Sequence, residues 1–291
     1  MRIDVSEIKT YKDCQRKHLF SSRNRYHLVP NKPNDNLIFG TQFHEVLHMI
    51  YLGAPLEKIL AWIDKEVTDS VHWKVMDNMA KGYYNGPYQQ DKERYEVIDI
   101  EKKFQYQPFE SNKDILLCGS IDMVCIDKTT NKFVGFEHKT AKNFRPEVYD
   151  LLDEQPRVYT WALKRILEDY HKEGKYLDVK EVDCVILNQV KKLQTKFDYQ
   201  RVECRYTDGE IEAFMHYLSN TISDIAFNAS ASDPQPSFMK CQMCDYADLC
   251  MHYGYEMPKE DDILNEFEGE YEVRDYDHLD EKAERHNDIS D

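Results

Sequence analysis

The chain has 291 residues, of which 32% are charged and 41% hydrophobic, and a formal net charge of −16. That apolar content suits one elaborated globular domain, and no apolar run is long enough to span a membrane. Most of the charge is local: residues 258–291 hold 14 Asp and Glu against 4 Lys and Arg, a net of −10 that leaves −6 for the rest, so a polyanionic partner is not excluded where basic residues line its approach.

The polar start, Met1-Arg2-Ile3-Asp4-Val5-Ser6-Glu7, is expected to carry no signal peptide. A capped amphipathic helix is predicted near 5–20, with a basic loop carrying Arg16, Lys17, Arg23 and Arg25. Phe39-Gly40-Thr41 opens a helix near 41–52, with Thr41 as N-cap and His44, Leu47 and His48 on one face. Further helices are predicted near 55–69 and 71–84.

Strand-like runs follow near 94–107, 115–126 and 132–139. The last two are short apolar stretches around the polar turn Asp127-Lys128-Thr129-Thr130-Asn131-Lys132, so they should pair as a hairpin that brings Asp122 close to Glu137. Two adjacent carboxylates repel unless a cation sits between them, and hard oxygen ligands favour Mg²⁺ or Mn²⁺. Glu137 and Lys139 are two apart, so strand alternation sends both to one face, where the lysine can position a water attacking a phosphodiester. His138 points the other way, and its backbone carbonyl is a further candidate ligand. A surface hairpin with a Glu137–Lys139 ion pair would use the same residues.

A helix near 154–170 places Gln155 and Tyr159 on one face, and Pro156 fits only its first turn. A second hairpin, 182–188 with 195–202, precedes a helix near 208–228. Lys142, Arg145, Lys191, Lys192 and Lys196 are candidate contacts for a phosphate backbone. The sequence contains no Gly-x-x-x-x-Gly-Lys phosphate loop, so it encodes no motor.

Cys241, Cys244 and Cys250 form a tight cluster that one more thiolate would close, and Cys14 is the candidate, with Cys204 a weaker one. Tetrahedral zinc would use the same ligands. Cys118, Cys125, Cys184 and Cys204 fall in apolar runs and read as small buried hydrophobes. Residues 258–291, with few apolar side chains and dense like charge, are expected to form a disordered tail behind a catalytic unit of residues 1–257.

The order His44, Glu101, Gly119-x-x-Asp122, Glu137-x-Lys139-Thr140, Gln155-x-x-x-Tyr159 resembles the RecB-like branch of the PD-(D/E)XK nucleases over most of residues 1–257. The resemblance implies an α/β, restriction-endonuclease-like fold with a mixed central sheet flanked by helices. It implies His44, Asp122 and Glu137 as ligands of Mg²⁺ or Mn²⁺ and Lys139 as the catalytic lysine. Gln155 and Tyr159 become a DNA-contacting pair, and Glu101 an accessory acidic position. The cysteines resemble the iron–sulfur subgroup, which includes the CRISPR-adaptation exonucleases and AddB-type nuclease domains. There one N-terminal and three C-terminal cysteines hold a [4Fe-4S] cluster, which implies Cys14, Cys241, Cys244 and Cys250 here, in an iron–sulfur subdomain joining the two ends of the domain. Gln15 stands where proline usually follows the first cysteine. The implied activity is that of a cytoplasmic, prokaryotic or phage-encoded DNA exonuclease acting on single-stranded ends in recombination, repair or adaptation, beside a helicase or recombination partner. The alternative from another class is a non-catalytic iron–sulfur or zinc DNA-binding subunit.

Overall fold

The computed structural model describes residues 1–32, 34–109, 114–227 and 233–274. In chain order the elements begin β1 (Arg2–Asp4), α1 (Val5–Asp13), α2 (Gln15–Ser21), β2 (Leu28–Pro30), α3 (Asp35–Tyr51), α4 (Leu56–Glu66), α5 (Ser70–Asn85) and α6 (Pro87–Arg94). They continue with β3 (Tyr95–Tyr106), β4 (Leu116–Asp127), β5 (Lys132–Ala141), α7 (Glu147–Leu151), α8 (Glu154–Lys172), β6 (Val182–Lys191) and β7 (Tyr199–Cys204). The last are α9 (Asp208–Phe227), α10 (Phe238–Cys241), α11 (Ala247–Tyr253), α12 (Glu260–Glu266) and β8 (Tyr271–Val273). Where the sequence led us to expect one catalytic unit and a tail, the chain divides into two interleaved units, residues 1–33 with 105–119 and 213–291, and residues 34–104 with 120–212.

The second unit carries a mixed sheet in the order β4-β5-β6-β7, with β3 beside β4. β4 and β5 form the predicted antiparallel hairpin, Met123 opposite Phe136 and Asp127 opposite Lys132. The Asp127 carboxylate closes its turn by accepting from the Thr129 N–H and hydroxyl at 2.8 and 2.6 Å. β5 and β6 are parallel, so α7 and α8 serve as the crossover between them. Alternation along β5 assigns its two faces to different helices. On one face α8 packs so closely that a Cβ on Gly135 would sit 2.8 Å from the Leu163 side chain. On the other, His138 stacks on Tyr51 of α3. A separate apolar cluster, including Phe43, Leu47, Ile63, Met79 and Tyr83, holds α3 to α4 and α5.

Two helix boundaries differ from the sequence reading. α3 begins at Asp35, capped by the Asn34 side chain accepting from the Asn36 and Leu37 N–H groups, so Thr41 lies inside the helix rather than at its cap. α6 was not anticipated because its face is mostly polar, although Pro87 at its first position marks a helix start. Among the described residues no helix is long and apolar enough to cross a membrane.

The first unit gathers both ends of the described chain. β1 pairs in parallel with Leu116–Cys118. The helix expected over 5–20 is interrupted at Cys14, whose extended backbone ends α1 and starts α2. Leu19, Phe20, Leu28, Tyr246, Leu249 and Tyr271 form one core. The buried Arg16 guanidinium donates to the Glu256 carbonyl at 2.8 Å, and the Tyr246 hydroxyl to the Leu28 carbonyl at 2.7 Å. β8 pairs antiparallel with β2. Residues 260–266 and 271–273, expected within the disordered tail, are thus an ordered helix and strand. Ile263, Phe267 and Tyr271, four residues apart, pack onto that core from within an acidic stretch whose average composition hides them. Residues 275–291, the rest of that expected tail, lie outside the described residues.

Candidate active site

Every residue expected to do chemistry falls in the second unit, and the hairpin sets their geometry. The His138 N–H donates to Asp122 Oδ2 at 2.6 Å, so β5 itself orients the β4 carboxylate. Lys139 and Glu137, projecting to one face as their spacing requires, form an ion pair through Glu137 Oε1. Asp153 caps α8 by accepting from the Gln155 N–H at 2.9 Å, which places Pro156 in the first turn and aims Gln155 at the site. Gln155 Nε2 donates to Glu137 Oε1 at 2.8 Å and to the Tyr159 hydroxyl at 3.0 Å, while that hydroxyl donates to the Ser120 carbonyl at 2.7 Å. Gln155 and Tyr159 therefore brace Glu137 against β4. Ser120 was not singled out from sequence, since only its carbonyl takes part.

The two carboxylates are pushed in opposite directions. Both are buried, 9% exposed for Asp122 and 3% for Glu137. Burial raises the Asp122 pKa, but His44, together with His138 and Lys139, outweighs it and holds the group well below the usual carboxylate range. For Glu137, burial and then the Asp122 charge raise the pKa to about 7, against the opposing pull of Lys139. His44 Nδ1 lies 3.4 Å from Asp122 Oδ1, and its Nε2 bonds the His138 carbonyl at 3.0 Å. Burial works against charge on His44, and Asp122 outweighs it, so its pKa is raised. The His138 ring is pushed down to about 4, chiefly by burial.

This donor set has the chemistry of a hard-cation site: two buried carboxylates, an imidazole in contact with one of them, and the main-chain carbonyl that the imidazole also reaches. Among the described residues Glu137 Oε2 has no hydrogen-bond partner although it is buried, a costly state for a carboxylate oxygen that a cation would relieve. The side chains are not gathered around one point, however. Among the described residues no group of three or more His, Cys, Asp or Glu is arranged to hold a metal ion. Glu137 is drawn to Lys139 and Gln155, and His44 to Asp122.

Glu101 does reach this region. It lines a small pocket with His44, His48, Tyr51, Asp122 and His138. Its φ of 53° lies in the left-handed region, unusual for a non-glycine strand residue and typical of a bulge that redirects a side chain. The expected phosphate contacts fare unevenly. Arg145 is engaged by Asp150 and Asp153, and Lys191 by Asp198. Lys192 donates to Asn36 Oδ1 at 2.7 Å, with the Lys142 charge nearby.

All four cysteines expected as ligands lie in the first unit, and all eight cysteines are free thiols. Cys14, Cys244 and Cys250 are partly buried and Cys241 is exposed, whereas Cys118, Cys125, Cys184 and Cys204 are buried as expected. Burial, followed by the charges of Cys14 and Cys244, pushes the Cys250 thiol up to about 11, with Cys241 also contributing. The four thiols thus share one electrostatic neighbourhood without converging at ligand geometry. Cys204, the weaker candidate for a fourth ligand, is buried in the second unit.

The family described as the PD-(D/E)XK nuclease superfamily matches residues 2–251. The crystal structure of a candidate exonuclease from Eubacterium rectale is similar in fold, with a TM-score of 0.50 and 12% identity over 92% of this chain and 93% of that one. The crystal structure of SSO0001 gives a TM-score of 0.41 and 13% identity, covering 86% of this chain and 85% of that one. No curated protein matches.

Proposed function

Because the chain belongs to the PD-(D/E)XK nuclease superfamily, we propose that it is a Mg²⁺- or Mn²⁺-dependent deoxyribonuclease working as an exonuclease on single-stranded or free DNA ends. The observation that carries the metal dependence is the buried Glu137 Oε2, without a hydrogen-bond partner among the described residues, near the Asp122 charge, while its other oxygen is braced by Lys139 and Gln155. His44, Asp122, Glu137 and the His138 carbonyl would hold the cation. Bound there, it supplies Lewis-acid stabilisation of the scissile phosphate.

The chain's own groups do the rest. The His138 N–H fixes Asp122, and Gln155 with Tyr159 holds Glu137 in place. Lys139, its charge favoured because Glu137 outweighs burial, orients the attacking water. Lys142 and Lys192 offer positive charge to the DNA backbone beyond the end of β5. The exonuclease mode draws on the fold shared with the Eubacterium rectale protein and on the RecB-like motif order. Strand separation, where it is needed, falls to a helicase or recombination partner.

The direct test is incubation of end-labelled single- and double-stranded DNA with the full chain, with Mn²⁺ and with excess chelator. Processive shortening that requires the metal is expected, and cleavage in chelator overturns the reading. For the first unit the same reading assigns Cys14, Cys241, Cys244 and Cys250 to a [4Fe-4S] cluster, supported by four reachable thiols in one electrostatic neighbourhood. Anaerobically purified protein should then be brown with about four irons per chain. Colourless protein with stoichiometric zinc would replace the cluster with a zinc site.

A further inference from the structure

His138 stands between Glu137 and Lys139, but its ring faces away from them, buried and stacked on Tyr51 at 5.8 Å. The hydrogen bonds that hold this ring have directions fixed by chemistry. Arg201 can only donate: Nη1 and Nη2 bind the two Asp91 oxygens at 2.6 Å each, and Nε reaches Asn188 Oδ1 at 2.9 Å. With that oxygen accepting, Asn188 Nδ2 is the donor, toward the Tyr83 hydroxyl at 3.1 Å and His138 Nδ1 at 2.9 Å. Tyr83 also accepts from Arg201 Nη2 at 3.1 Å, so its own proton goes to Tyr51 at 2.7 Å, and Tyr51 donates to Asp91 Oδ2 at 2.6 Å. The ring of bonds closes on Asp91 with one proton arrangement, which leaves His138 Nδ1 bare.

A fully buried asparagine immediately after the apolar run Cys184–Leu187 is costly unless every polar group is matched, and an apolar residue would pack there at less cost. What the asparagine holds is informative. His138 and Asn188 are direct register partners across β5 and β6. The same His138 peptide gives its N–H to Asp122 and turns its carbonyl to His44.

We propose that Asn188, fixed by Arg201 and Asp91, is a positioning residue for the metal centre: it locks the His138 ring and thereby the peptide that aims Asp122 and presents the His138 carbonyl. The proposal rests on the reading of this site as a divalent-cation centre. Asn188 touches none of the proposed ligating atoms of the site and acts through the residue between them.

The test is Mn²⁺ titration of the full chain without DNA, followed by electron paramagnetic resonance, beside cleavage rates at low and saturating Mn²⁺. Asn188→Leu and His138→Phe each delete the central bond, and phenylalanine keeps a flat ring against Tyr51 and the same backbone. Each should weaken Mn²⁺ binding about 10- to 100-fold, with cleavage recovering at high Mn²⁺. The double variant should bind no more weakly than either single, because both changes remove one interaction. A folded His138→Phe protein with wild-type Mn²⁺ affinity overturns the positioning role, whether or not Asn188→Leu folds and whatever its melting temperature. Wild-type protein that binds no Mn²⁺ overturns the cation-centre reading and this proposal together, so the wild type distinguishes the two failures.

Discussion

The two units solve the problem of placing reactive side chains in different ways. In the second, a two-residue spacing on β5 and one strand pairing bring Glu137, Lys139 and Asp122 together, and neighbouring polar groups hold each in place. In the first, Cys14 and Cys241–Cys250 are brought near one another by segments more than 200 residues apart that share an apolar core, against which Cys244 and Cys250 pack. Arg16, Tyr246 and the β2–β8 pair already join the two ends of the described chain. A local rule of strand geometry gives tight preorganisation. Long-range packing delivers the cysteines to one neighbourhood and stops there.

The contrast is broken most sharply at Glu137 and Lys139. Glu137→Ala or Lys139→Ala should lower single-turnover cleavage about 10²- to 10⁴-fold while DNA affinity, measured by fluorescence anisotropy, changes little. A near-wild-type rate in Glu137→Ala would remove the second unit's claim to the chemistry.

The next effect lies in the first unit. Arg16 is buried and bonded to the Glu256 and Gly254 carbonyls, so Arg16→Ala should destabilise this unit by about 2–5 kcal/mol, with lost packing and unpaired carbonyls acting together. Hydrogen exchange resolves where the loss falls. Faster exchange in α2 and α11 with unchanged protection in β5 is the expected pattern, and equal loss in both units would show that they unfold as one.

A smaller effect follows from the raised Glu137 pKa. In the unfolded chain this carboxyl ionises near 4.5, whereas in the folded, metal-free protein it does so near 7. The folded state therefore binds the proton more tightly, so this group's contribution to stability is present below the unfolded value and is lost as pH rises toward 7. Metal-free Glu137→Gln should melt with less decline between pH 5 and about 7 than the wild type. Parallel melting curves would place the burden on another group.

The smallest effect concerns the C-terminal charge. Residues 275–291 carry seven Asp and Glu against two Lys and Arg. Truncation after Arg274 should tighten DNA binding a few-fold at low ionic strength, with the gain fading as salt screens charges over roughly 10 Å at 0.1 M. Truncation after Met257 is a different experiment, because it removes Ile263 and Tyr271 from the core of the first unit. Equal affinities for the full chain and the Arg274 truncation at low salt would exclude electrostatic competition.

How much was legible in the sequence follows the same division. Asp122, Glu137, Lys139, Gln155 and Tyr159 could be placed because period-2 and four-residue spacings are local rules. The start of α3 was missed because Thr41 offers an N-cap side chain just after Gly40, whereas Gly40 sits inside the helix, where a Cβ would come 4.0 Å from Thr140 Oγ1. β8 was illegible because a three-residue strand in an acidic stretch declares itself only through a partner some 240 residues earlier. The Asp91–Arg201–Asn188 network joins α6, β7 and β6, and its one trace in the sequence is a polar Asn188 at the end of an apolar run.

The pairing of β2 with β8 also sets an order of events during synthesis. The last residue of the second unit is Glu212, whereas β2 must wait for Tyr271–Val273 before it has a partner. At roughly 5–20 residues per second, α2 and β2 spend on the order of ten seconds or more outside the ribosome with Leu19, Phe20 and Leu28 uncovered. The second unit can therefore take shape on the ribosome, while the unit bearing Cys14 and Cys241–Cys250 is completed only after Tyr271–Val273 has emerged.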